Sequence, residues 1–434
     1  TVRAMIFKNI AILDDTFQIR ENQYVQIRQD KIVYIGEQMP ETGSEEEFDG
    51  KDKLMIPGMV NTHTHVPMTL LRGYGENLPL DRWLNERIFP YEHQLDADSV
   101  YDASLLGIAE MLMFGVTSFT EMYDFCGDIA RAALESGICA NISRGVLCFD
   151  DSSLSDLQSF RESRELYENW NNVGNGRIKV DMCIHGEYTS TPKVVSAMAE
   201  YAKSLRCNMH IHLAETKKEF DECIERHGMT PTRYMETMGV FDNPTTAAHC
   251  VYLTDEDIAI LAQNQVTAAH CPVSNLKLGS GVARIADMQK QGVNITLGTD
   301  GCASNNNLNL LEEVKLTSVL HKGITGNAAI CPPAEIMKYA TQNGAAAQGR
   351  PDTGCIKVGN KADFAVLNCD KPYWYPSHDK LNDLVYAAQG TDVMMTVVNG
   401  KILYQNGEFH TIDIEKVKAA VKRHNKQILK NLDL

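Results

Sequence analysis

The run Leu54-Met55-Ile56-Pro57-Gly58-Met59-Val60-Asn61-Thr62-His63-Thr64-His65 joins an apolar, strand-like stretch to two histidines two positions apart. Residues i and i+2 of a strand share a face, so both imidazoles can reach one ion. Taken alone, an H-x-H is a weak signal, as often incidental as functional. Its weight comes from the rest of the chain. Apolar runs recur at 116–121, 140–146, 180–185, 208–213, 246–249, 267–270 and 295–300, separated by amphipathic helical patterns. Such alternation implies parallel strands joined by crossover helices. With 59–65 the runs number eight, which predicts an α/β chain closed into a (β/α)8 TIM-like barrel rather than a doubly wound sheet. Nearly every run ends on or near a His, Asp, Glu or Arg, and in such a barrel the strand ends converge on the face where active sites form.

Outward from this core the texture changes. Residues 4–7, 24–27 and 31–34 alternate apolar and polar around Gly and Asp, and 363–367 and 395–404 do the same, with Asn399-Gly400 marking a hairpin turn. The two ends are therefore expected to share one small β-sandwich domain. The division is 1–56 for its first part, 57–355 for the catalytic barrel, and 356–434 for its second part plus a terminal helix. That helix, about 414–429, is amphipathic and basic and reads as a solvated terminal element without chemistry.

The 434 residues are 44% hydrophobic and 23% charged, enough for a large core and outside the disordered class. No apolar run approaches the roughly 20 residues of a membrane span. Residues 1–10 lack the charged-then-apolar layout of a leader, so a cytoplasmic chain is expected. Lys and Arg total 41 against 57 Asp and Glu, a net charge of -16 that repels phosphate backbones and anionic lipid. The expected partner is a small molecule, not nucleic acid or membrane, and homo-oligomer formation is left open. The 12 cysteines include no C-x-x-C pair, which removes zinc-ribbon and thioredoxin-type readings. Cys250, Cys271 and Cys302 adjoin site candidates and read as small buried fillers rather than nucleophiles.

Three later strand ends strengthen the H-x-H: His212 within His210-Ile211-His212-Leu213-Ala214-Glu215-Thr216, His249, and Asp300 within Leu297-Gly298-Thr299-Asp300-Gly301. Imidazoles with a carboxylate suit zinc, iron or another transition metal better than magnesium or calcium. Together with Pro57-Gly58 ahead of the H-x-H, the set resembles the amidohydrolase superfamily over essentially the whole chain. The resemblance implies His63, His65, His212 and Asp300 as ligands of one divalent metal, zinc foremost, with His249 beside it and unligated. Binuclear members carry a bridging lysine at the end of the fourth strand; here that strand ends at His185, which favours a single ion. His210 reads as a buried histidine behind the site, and His270 as structural or pocket-lining.

A finer resemblance lies beyond the H-x-H. Thr62 to Gly73, Leu80-Asp81-Arg82-Trp83-Leu84, Ser274-Asn275-Leu276-Lys277-Leu278 and Ala303-Ser304-Asn305-Asn306 are similar to the 5'-methylthioadenosine/S-adenosylhomocysteine deaminase branch. It implies hydrolytic removal of the 6-amino group from an adenosine-type nucleoside, giving the inosine analogue and ammonia. Asp300 would take the proton of the attacking water, Glu215 would protonate the ring nitrogen, and His249 would stabilise the attacking oxygen. Glu92 would hold the ribose hydroxyls, His185 would contact the sugar or its 5' tail, Trp83 would wall the base or 5' group, and Arg144 would meet a tail carboxylate. A Trp at this spacing is more often core, and an Arg after a strand can be a solvated loop residue. No second arginine occurs in 148–154, which weakens recognition of a charged tail. Two other readings remain: deamination or dechlorination of another amino-heterocycle of guanine, cytosine or triazine type, and an inactive barrel used as a binding module. The joint presence of four ligands with Glu215 and His249 argues against the second.

Overall fold

The computed structural model describes residues 3–434. The alternating segments at the two ends pair in a single nine-stranded sheet. Ala4–Leu13 runs antiparallel to Ile19–Arg28, which pairs with Lys31–Gly36. Lys53–Pro57 sits between Ala4–Leu13 and the distant strand Phe364–Asn368, and so joins the N-terminal and C-terminal pieces. The Asn-Gly hairpin forms as expected, with Val398 opposite Lys401 and both Asn399 (φ 49°) and Gly400 (φ 71°) left-handed, the backbone a tight two-residue turn requires. One face of the sheet buries a core of its own that includes Met5, Phe7, Ile12, Val25, Phe364 and Val397.

At Pro57-Gly58 the chain leaves this sheet. A Cβ on Gly58 would stand 2.1 Å from Thr117 Oγ1, so only glycine lets the next strand, Met59–Thr64, enter beside Val116–Tyr123. Every residue of Met59–Thr64 is buried. Strands covered on both faces carry unbroken apolar runs, which is why these segments did not alternate in the sequence.

The parallel strands hydrogen-bond in two groups, a four-stranded one from Met59–Thr64 to Ile178–Val180 and a five-stranded one from Met182–Ile184 to Asn294–Leu297. The run expected at 180–185 is thus two short strands broken at Asp181. Ile178–Val180 pairs backward with Cys139–Arg144, while Met182–Ile184 pairs forward with Met209–Leu213. Asp181 is buried at the break and accepts from Asn141 Nδ2 at 3.2 Å. At the other seam, Thr62 Oγ1 donates to the Leu297 carbonyl at 2.9 Å and the Asp300 N–H to the His63 carbonyl at 2.9 Å.

The terminal helix, Ile414–Asn431, corrects the reading of a solvated element. It buries Val417, Ala420 and Ile428, and it accepts the Tyr91 hydroxyl on Asn425 Oδ1 at 2.7 Å. It thereby braces the short helix Phe89–Glu92. Among the described residues no helix is long and apolar enough to cross a membrane.

Candidate active site

The strand ends bring five side chains together. Ligating atoms of His63, His65 and His212 lie within 4.8 Å of one another, and so do those of His63, His249 and Asp300. Asp300 Oδ1 stands 3.4 Å from His63 Nε2 and 3.2 Å from His65 Nε2.

Each imidazole is aimed through its other nitrogen. His63 Nδ1 pairs with His210 Nε2 at 2.9 Å, His65 Nδ1 with the Met122 carbonyl, and His212 Nδ1 with the His185 carbonyl at 2.7 Å. A nitrogen engaged in this way fixes tautomer and ring orientation and leaves Nε2 for the cluster. His63 Nε2 is buried and has no hydrogen-bond partner, an arrangement that a bound cation satisfies. His210 is therefore the buried histidine behind the site that its position suggested.

Asp300 reaches the cluster by strained backbone. Its φ is 62°, a region that non-glycine residues seldom enter. Two residues earlier, a Cβ on Gly298 would lie 2.9 Å from the His63 backbone nitrogen, so glycine is required for the strand ends to close together. Asp300 Oδ2 accepts from Ser274 Oγ at 2.7 Å and Ser304 Oγ at 3.1 Å. Burial alone would raise this carboxyl, but the His63 and His65 imidazoles beside it hold it well below the usual carboxylate range.

On one side of the cluster, His249 Nε2 faces Glu215 Oε1 at 3.6 Å and Asp300 Oδ2 at 3.8 Å. Its Nδ1 is held by Asn275 Oδ1 at 2.8 Å. Burial pushes the Glu215 carboxyl up, against the pull of His249 and with the repulsion of Asp300. A raised pKa moves a carboxyl toward the range in which it can exchange a proton with a ring nitrogen.

The outer residues divide. Glu92 is partly buried and accepts the Tyr123 hydroxyl, and the Tyr123 ring lies 6.1 Å from that of His65. Burial raises the Glu92 carboxyl. The His185 ring is 4.7 Å from that of His212, its Nδ1 pairs with Thr189 Oγ1 at 3.0 Å, and burial lowers it to about 4, so it is neutral near pH 7. Trp83 packs in an apolar cluster with Met68, Leu71 and Tyr91, against which Tyr123 also rests. Arg144 makes no hydrogen bond or ion pair with the cluster: its guanidinium is held by Glu162 and Asp124, both at 2.7 Å, and it lines a cleft of about 450 Å³ with Phe125 and Trp170. His270 pairs with His321 at 2.9 Å, a buried couple apart from the donors. Burial pushes the Cys250, Cys271 and Cys302 thiols up, consistent with inert fillers.

Tyr123, Ser274, Asn275 and Ser304 carry no expected role in the sequence reading. The last three lie within motifs directly after strand ends, and Tyr123 ends the second strand, so position carried a usable signal. The Met122 and His185 carbonyls carried none, because any residue supplies a carbonyl.

Residues 54–403 match the amidohydrolase family. A 5-methylthioadenosine/S-adenosylhomocysteine deaminase of Thermoanaerobacter pseudethanolicus is 41% identical over 98% of this chain and 99% of its own. A 5'-deoxyadenosine deaminase of Methanosarcina acetivorans is 41% identical over 95% of each. Among solved structures, an adenosine deaminase from Xanthomonas campestris with bound zinc superposes with a TM-score of 0.93 at 29% identity, covering 98% of both chains. Strand-end donors, a carboxyl raised by burial beside them and a match that spans most of the sequence lead to one assignment: this chain belongs to the amidohydrolase family.

Proposed function

We propose that the protein hydrolyses the 6-amino group of an adenosine-type nucleoside, releasing ammonia and the inosine analogue. The observation that carries this reading is the convergence of His63, His65, His212 and Asp300 beside the Glu215–His249 pair, in a chain about two-fifths identical to proteins named for that reaction. His63, His65, His212 and Asp300 hold one divalent ion, zinc foremost. The unpartnered Nε2 of His63 and the all-nitrogen-and-oxygen donor set support this fit. When bound, such an ion lowers the pKa of water to about 7.

The protein's own groups then divide the remaining work. Asp300, kept ionised by its histidines, accepts a proton from the attacking water and passes it to the 6-amino group, which leaves as ammonia. Glu215 delivers one to the ring nitrogen, and His249, its Nδ1 fixed by Asn275, steadies the incoming oxygen. Glu92 receives the ribose hydroxyls, in the position Tyr123 now holds with its own hydroxyl. His185 contacts the sugar as a neutral imidazole, and Trp83 backs the wall behind Glu92. Arg144 already neutralises two carboxylates and would have to exchange one to meet a charged tail, so the favoured 5' substituents are uncharged. Around this site the two groups of parallel strands form one (β/α)8 barrel over 57–355, joined across Asp181 and across the Thr62–Leu297 seam. Segments 1–56 and 356–434 form the small β-domain, whose sheet folds over its own apolar core as a sandwich.

The test is to measure bound metal and follow ammonia release from adenosine, 5'-methylthioadenosine, 5'-deoxyadenosine, S-adenosylhomocysteine and free adenine. Nucleosides outperforming adenine, with uncharged 5' groups equal to or better than the homocysteine tail, is the expected pattern. Equal kcat/KM for adenine and adenosine would remove the ribose contact and overturn the nucleoside reading.

A further inference from the structure

Between the strand Met209–Leu213 and the helix Lys217–His227 lie only Ala214, Glu215 and Thr216. Thr216 caps the helix, its Oγ1 accepting the Glu219 N–H at 3.1 Å. In an ordinary capping box the third helical residue would return its carboxylate to the cap residue's own N–H. Glu219 reaches further. Its Oε2 accepts the Ala214 N–H at 2.5 Å and its Oε1 the Glu215 N–H at 3.2 Å.

Those two N–H groups need that partner. Ala214 is fully buried and left-handed at φ 51°, a conformation that a β-carbon disfavours. Its carbonyl is tied on the opposite side by the Val251 and Tyr252 N–H groups at 3.1 and 3.0 Å. The peptide that sets the direction of Glu215 is thus pinned from both sides, by backbone on one and by a single side chain on the other. Glu219 is 4% exposed and has no Lys or Arg partner among its hydrogen bonds and ion pairs in the described residues. A buried carboxyl without a cationic partner, which burial pushes up to about 8, is not an arrangement that stability alone calls for, because an apolar residue would fill the same inner face as Cys223 does one turn later.

We infer that Glu219 is a positioning residue: by accepting the Ala214 and Glu215 peptide N–H groups, it holds Ala214 left-handed and aims the Glu215 carboxyl at the reacting ring. The inference rests on the proposed role of Glu215 as proton donor. Glu219 itself touches no substrate atom and acts only through the backbone of its neighbour.

The experiment is a double-mutant cycle on the metal-loaded full chain, with adenosine as substrate. Wild type, E215Q, E219Q and E215Q/E219Q are compared for kcat, KM, metal content and melting temperature. E219Q is expected to keep its metal and its KM within about threefold while losing about 10- to 100-fold in kcat, because the amide can accept only one of the two N–H groups and a displaced donor loses rate steeply. The double variant is expected to be no slower than E215Q alone, since Glu219 works only through Glu215. C223A, on the same buried face, should lower the melting temperature without lowering kcat, which separates aiming from helix stability. Should E219Q not fold, E219D keeps the carboxyl but falls a methylene short, and the same kcat loss is expected of it. Wild-type kcat in a folded E219Q, or a double variant slower than E215Q by the full E219Q factor, would overturn the inference. An active E215Q would instead remove the donor role itself, a failure visible in that variant alone.

Discussion

The terminal sheet and the strand-end cluster both contain left-handed backbone, but different residues adopt it. In the sheet the positive φ angles fall mostly on Asn9, Asn22, Asp52, Asn399 and Asn406, side chains that tolerate this region and belong in turns, with Phe17 and Gln29 as exceptions that also lie in turns. In the cluster they fall on Ala214, His249, Cys250 and Asp300, where no turn chemistry asks for them. The interiors differ in the same sense. The sheet's core is built mainly from apolar side chains, with Gln23 Oε1 buried there without a partner, whereas the cluster buries the Nε2 atoms of both His63 and His249 in that state. Local preference and tertiary structure agree at most such positions in one region and conflict at those of the other, and such conflicts gather where a site is organised for chemistry rather than stability.

The hardest test of that contrast removes a donor from the cluster and a core residue from the sheet. H63A, H212A and D300A are each expected to lose metal and activity together, by orders of magnitude in turnover, because each takes one ligand from a set with none to spare. F7A, deep in the sheet's core, should lose about 3–5 kcal/mol of stability while the folded fraction keeps its metal and its kcat. Elemental analysis, turnover and thermal melting of the four variants decide it. Full occupancy in any donor variant, or metal loss in folded F7A, would erase the distinction.

Within the cluster the contrast can be sharpened by separating holding from reacting. E215Q should retain metal and lose about 10²- to 10⁴-fold in kcat, since an amide cannot donate a proton of matched pKa. Further out, E92A should leave metal untouched and lower kcat/KM for nucleosides by about 10- to 100-fold, the size of one or two hydrogen bonds to a charged group. An active E215Q, or an E92A variant with wild-type kcat/KM, would withdraw the corresponding role.

Most of this organisation was legible in the sequence, for identifiable reasons. The eight runs and the histidines at their ends could be read because a buried parallel strand must be apolar and an inward-facing donor must lie at its terminus. The shared terminal sheet could be read from alternation, and its Asn-Gly turn from the residue types that φ > 0 demands. What could not be read depends on contacts between distant segments. Arg144 sits after a strand as a ligand-binding arginine would, and only the fold reveals that Asp124 and Glu162 already occupy it. The break at Asp181 leaves the apolar run almost intact, so one strand and two cannot be told apart by pattern. The terminal helix looked solvated because its partners, Tyr91 and Asp102, are more than three hundred residues away.

The smallest effect tests the sheet from its surface. Lys361 Nζ meets Asp30 Oδ2 at 2.6 Å and ties the C-terminal piece to the N-terminal one, with the side chains 24% and 41% exposed. The hydrogen bond from Lys361 holds the Asp30 carboxyl below its ordinary 3.8, against a smaller opposing push from burial. A depressed acid contributes stability that is fully present above its unfolded pKa and is lost as pH falls through the folded one. The contribution should therefore be constant at neutral pH and fade from about pH 4 downward. Solvent screening at this exposure limits it to about 0.2–1 kcal/mol, so D30N should lower stability by no more than that at pH 7 and should converge with wild type in acid. Added salt should shrink the difference at neutral pH. Activity should not change, because nothing in this pair reaches the strand-end donors. Denaturant melts of both proteins at neutral and acidic pH, with turnover measured at pH 7, check all three. A loss of several kcal/mol, or a fall in kcat, would mean that the terminal sheet is coupled to the site, and the separation between a region organised for stability and one organised for chemistry would no longer hold.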